Sequence, residues 1–118
     1  MHTETIEVHR KLVRDKIPER ILDGGDRPQW WPLVDDDEYL RALRSKVVEE
    51  ATEVRDASPS ERVDELADLF EVVTALMNAC GVTEAQVREA ADRKRSARGG
   101  FSQRIWLEQV ELRIPPSK

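Results

Sequence analysis

The sequence predicts a mainly helical protein with an extended N-terminal arm and a short C-terminal strand. Apolar residues recur at helical spacing in two long stretches, capping patterns open the helices, and glycine or proline closes them. At 118 residues the chain is expected to be a single domain. Residues 1–34 form its arm and loop, 35–98 its helical core, and 99–118 a strand and tail.

Residues 5–14 alternate loosely and suit a short strand or an extended arm. Lys16 to Leu22 reads as a brief helical turn around Pro18. Gly24-Gly25-Asp26-Arg27-Pro28 then breaks the chain into a loop carrying Trp30 and Trp31. These tryptophans are expected to cover a core or a subunit contact rather than to stack on a base. Asp35-Asp36-Asp37 offers a cap and negative charge to a first long helix, in which Leu40, Leu43, Val47, Val48, Ala51 and Val54 share an arc. Ser58-Pro59-Ser60-Glu61 reads as a capping box opening a second helix from Val63 to Cys80, with Gly81 as its terminator. Cys80 is expected to be a small buried hydrophobe. Thr83-Glu84-Ala85-Gln86 opens a polar third helix to about Ala97, which Gly99-Gly100 ends. Alternation from Phe101 to Ile114 suits a terminal strand that pairs with the arm.

The bulk charge narrows the function. A formal charge of -5 argues against a general nucleic-acid binder. No apolar run approaches the roughly 20 residues needed to span a bilayer, and nothing near Met1 resembles a signal peptide, so a soluble, cytoplasmic protein is expected. There is no glycine-rich phosphate loop, no serine elbow and no Cys/His zinc spacing.

Two acidic pairs carry the chemistry: Glu50-Ala51-Thr52-Glu53 and Glu65-Leu66-Ala67-Asp68. Members three apart share one helical face. At about 100° per residue, Glu50 falls at the rim of the apolar arc with Glu53 further round. Glu65 and Asp68 straddle a direction that Val72, Ala75 and Leu76 continue, on a helix otherwise apolar nearly all round and therefore expected to be buried. Two carboxylates about 5 Å apart repel by roughly 3 kcal/mol at an effective dielectric near 20. Either protons at raised pKa or cations must neutralise such a group. Lys46, Arg55 and Arg62 are positioned to satisfy one or two of them; magnesium or manganese, which favour oxygen donors, suits all four.

The set Lys11-Leu12-Val13-Arg14-Asp15-Lys16-Ile17-Pro18, Glu49-Glu50-x-x-Glu53, Glu65-x-x-Asp68 and Lys94-x-x-x-Arg98-Gly99-Gly100-Phe101 resembles the all-α nucleoside triphosphate pyrophosphohydrolases. That is the MazG-like superfamily, which includes phosphoribosyl-ATP pyrophosphohydrolase, and the likeness is to its small house-cleaning branch. It spans roughly residues 9–107. The resemblance implies a helical homodimer or tetramer that uses magnesium to split a nucleoside triphosphate into monophosphate and pyrophosphate. Carried over, Glu50, Glu53, Glu65 and Asp68 are the metal ligands. Glu49 joins Glu50 and Glu53 as a catalytic carboxylate that orients a ligand or the attacking water. Trp30-Trp31 is outside the signature.

A triphosphate brings about four negative charges, so cations beyond the metal are needed. Lys94 and Arg98, spaced i, i+4, read as a phosphate clamp, unless they only complement a helix C-terminus. Lys11, Arg14 and Lys16 form a second basic group, which alternatively marks a strand edge. Beside the generic triphosphate stand two rival readings: phosphoribosyl-ATP as substrate, and a helical module that binds without turnover. An apolar second helix that two neighbours cannot cover predicts a second copy against it.

Overall fold

The computed structural model describes residues 5–115. They fall into two compact units, one up to Glu84 and one from Ala85 onward. The first contains α1 (Ile17–Asp23), α2 (Asp36–Asp56) and α3 (Arg62–Ala79); α4 (Glu84–Arg98) opens at its end and runs through the second. The mainly helical expectation holds.

In the arm, residues 5–14 take no regular structure. α1 follows with proline in its first turn, where a missing N–H costs nothing. Trp30 and Trp31 are 62% and 69% exposed and so cover no core among the described residues. Asp35 caps α2, its carboxylate accepting the Glu38 N–H at 3.0 Å, and three acids in the first turn suit the positive end of the helix.

α2 buries a stripe spaced four, three and four residues: Leu43, Val47, Glu50 and Val54 are its inward positions. Leu43 is 4% exposed and is the only hydrophobic side chain classed as buried among the described residues. Glu50, expected at a rim, stands instead in the stripe itself. The short link from Ala57 to Glu61 folds α3 back, and α2 and α3 are the pair that pack together. The expected capping box is half formed there. Regular helix starts only at Arg62, while the Glu61 carboxylate accepts both the Ser58 N–H and the Ser58 hydroxyl.

α3 ends in a Schellman motif. Gly81 at φ +70 lets the Val82 N–H reach the Met77 carbonyl at 2.9 Å and its own N–H reach Asn78 at 3.2 Å. Two expectations fail on this helix. Cys80 is exposed, because it sits on the final turn rather than in the seam. No α3 residue is fully buried, since α2 covers one side only; Val63 and Phe70 stand 78% and 65% exposed.

In the second unit, Gly99 at φ +83 closes α4, its N–H donating to the Arg95 carbonyl at 2.8 Å. The expected C-terminal strand is absent among the described residues: 105–115 lack any ladder. A strand needs a partner for its backbone donors and acceptors, and alternation alone supplies none. No single helix is long and apolar enough to cross a membrane.

Candidate metal centre

α2 and α3 bring their acids together because both carry them on the seam. Single carboxylate oxygens of Glu50, Glu65 and Asp68 all lie within 4.8 Å of one another. Each of the three is at least partly buried. An octahedral magnesium ion with bonds near 2.1 Å spans at most about 4.2 Å between opposite ligands, so small side-chain adjustments close the set on one ion. Three oxygen donors with no nitrogen or sulfur fit a hard divalent cation.

The cost of assembling this set shows in Glu65. Partial burial, then the charges of Glu53, Asp68 and Glu50, hold its carboxyl above the ordinary glutamate range. Glu53 itself is exposed and outside the three, yet near enough for its charge to be felt there.

Cations of the arm meet one acid of this set and the neighbour of another. Arg14 donates to Asp68 at 2.8 Å across 54 positions of sequence, and Lys11 donates to Glu49 at 2.9 Å across 38. These ion pairs replace the strand-edge alternative for both residues. Hydrogen bonding to Lys11 holds the Glu49 carboxyl below its usual range against the opposing effect of burial, with Lys46 helping. In turn, Glu49 raises the Lys11 ammonium, with further support from Glu50 and Glu53. Glu49 therefore stays ionised at neutral pH and acts as an acceptor.

Lys46 is the residue whose importance spacing understates. Its ammonium bridges Glu49 and Glu50 at 3.2 Å each, and its side chain is only 15% exposed. The signal was its i, i+3 and i, i+4 relation to those acids. Of the other candidate counter-ions, Arg55 pairs instead with Asp56 at 2.9 Å. Lys16 is exposed at the start of α1. Lys94 and Arg98 share the last turns of α4 and are exposed; their neighbours Arg93 and Arg95 pair within the helix with Glu89 and Asp92.

Comparison with known proteins decides the family. Residues 25–95, more than half the chain, match phosphoribosyl-ATP pyrophosphohydrolase. The chain belongs to that family. With it comes membership of the MazG-like all-α nucleoside triphosphate pyrophosphohydrolase superfamily. Pyrophosphohydrolysis, a reaction at an acid anhydride, is the activity of the phosphoribosyl-ATP pyrophosphohydrolase family, and Glu50, Glu65 and Asp68 all lie inside the matched stretch. Lys11 and Arg14 precede it. No curated protein and no solved structure matches the chain.

Proposed function

We propose that this chain is a magnesium-dependent pyrophosphohydrolase that cleaves a nucleoside triphosphate, standard or damaged, to the monophosphate and pyrophosphate. One observation carries the reading: three carboxylates from two helices converge, with Arg14 of the arm anchored on one of them, Asp68, and Lys11 on the adjoining Glu49. Manganese would serve the same donors.

Glu50, Glu65 and Asp68 would hold the ion, with Glu53 as a further ligand once its side chain turns inward. The ion supplies neutralisation of phosphate charge and an acidified water. The chain's own residues do the rest. Glu49 keeps Lys11 beside the acids, and Arg14 stands on Asp68, so two cations are in place to meet phosphate oxygens. Arg14 is the better clamp, because a guanidinium binds phosphate through two parallel donors. Lys16, Lys94 and Arg98 are assigned to outer phosphate contact. Glu50 and Glu53, as the acids nearest Glu49 on α2, orient the attacking water together with it.

A second copy completes the fold in this reading. Val63, Leu66 and Phe70 are exposed on a helix whose other side is used, and burying them against a twin would stabilise both. A homodimer follows, or a tetramer built from two. A cytoplasmic place and a small-molecule rather than nucleic-acid substrate suit the acidic surface.

The family description favours a second reading, phosphoribosyl-ATP as the substrate, with the same metal chemistry. A panel of nucleoside triphosphates, damaged forms and phosphoribosyl-ATP included, assayed for pyrophosphate with magnesium, tests both. Turnover on one of them, lost in Glu50→Gln and Asp68→Asn while helicity persists, supports the proposal. Failure on every substrate leaves a binding module.

A further inference from the structure

A cleft between the arm and α2 lies beside the acidic set. Arg10 and Lys11 form one wall, Ser45, Lys46 and Glu49 line the other, and the space between is about 150 Å³. Three residues with cationic side chains and one carboxylate thus line the cleft. The volume is below the roughly 300 Å³ at which pockets begin to hold drug-sized ligands, so the cleft suits a small group rather than a whole nucleoside.

Both lysines are fixed in place. Lys46, largely covered, is bridged to Glu49 and Glu50 and is not free to swing into solvent. Lys11 is tied to Glu49 from the opposite wall. Arg10 takes φ +49, a left-handed conformation that residues with side chains seldom adopt and that persists where surroundings impose it. Glu49 lines the cleft while its chain neighbour Glu50 belongs to the metal set, so the two sites adjoin.

We propose that this cleft binds a phosphate group, with Arg10, Lys11 and Lys46 as its cations and the Ser45 hydroxyl as a neutral donor. Lys11 already meets phosphate in the functional reading above; Arg10, which stands outside the matched residues 25–95, Ser45 and Lys46 are what the cleft adds. Which phosphate enters rests on the functional reading above: the distal phosphates of the substrate, or the pyrophosphate that leaves.

Calorimetric titration of the full chain with inorganic pyrophosphate, first in chelator and then with magnesium, tests the cleft apart from turnover. Binding is expected without metal, weakened about tenfold or more in Arg10→Ala/Lys11→Ala, partly recovered in Lys11→Arg, and retained in Glu65→Gln. No binding in chelator, or equal affinity in the double variant, overturns the site. Kinetics of the double variant separate the two sources. Weakened pyrophosphate inhibition with a raised KM assigns the substrate's distal phosphates, whereas weakened inhibition at constant KM assigns the product alone. Pyrophosphate binding that depends on Arg10 and Lys11 in a chain that turns over nothing would keep the cleft and remove the enzyme. Turnover with pyrophosphate affinity indifferent to both residues would do the reverse.

Discussion

The two halves of α3 face α2 with opposite effects on stability. The C-terminal half continues the stripe of Glu65 and Asp68 with Val72, Ala75 and Leu76, all partly buried, which lose water on packing and favour the fold. The N-terminal half presents Glu65 and Asp68, which meet Glu50 and repel it. One half is built as a core helix, the other against core logic, and a local rule broken without a structural gain is what functional sites look like. The counter-ions Arg14 and Lys46 offset part of the repulsion, and Glu65 keeps the remainder as a raised pKa.

Several substitutions would break or sharpen this contrast. The largest effect belongs to the acidic half. Asp68→Asn should lower pyrophosphate release by about 100-fold or more, the scale of losing one electrostatic stabiliser, with circular dichroism unchanged. Retained turnover would place the chemistry elsewhere. On the apolar side, Leu43→Ala should cost about 3 kcal/mol in urea unfolding, because Leu43 is nearly inaccessible and leaves a cavity. A loss below 1 kcal/mol would mean the seam is not the core. Phe70→Glu should convert a dimer to monomer in light scattering; a wild type that is already monomeric removes the second copy from the account.

Protonation gives a subtler separation. Glu65 is held above its ordinary value, so the native state takes up that proton before the unfolded chain does. Without metal, stability therefore rises as pH falls through the raised value toward about 4.5. Glu65→Gln should raise the melting temperature at pH 7 in chelator, flatten this pH dependence, and abolish stabilisation by magnesium. Glu49 behaves oppositely: its contribution is present above the ordinary glutamate value and lost as pH falls through its lowered one. Lys11→Met should reduce that acid-side loss, Lys46 keeping the rest, while costing only about 0.5 kcal/mol near neutrality, as partly exposed pairs do.

Much of this was legible in the residues. The caps at Asp35 and Gly81, the breaks at Pro59 and Gly99, and the two acidic pairs act through neighbours a few positions away, and periodicity exposes such relations. What spacing missed depends on distant partners. Glu50 looked peripheral on a single helical wheel, and only α3 makes it central. Arg14 finds Asp68 across 54 positions, which no local pattern encodes. The C-terminal alternation described a residue preference for strands without the second strand that would realise it. Cys80 was read by composition, although its place on the last turn decides its exposure.

Titration of the chain with manganese, followed by electron paramagnetic resonance, addresses the central claim most directly. The expected result is a saturable site that Glu50→Gln, Glu65→Gln and Asp68→Asn each weaken at least tenfold, while Glu71→Gln, on an exposed position of the same helix, leaves it intact. Equal affinity in all four variants would contradict a shared ion between α2 and α3.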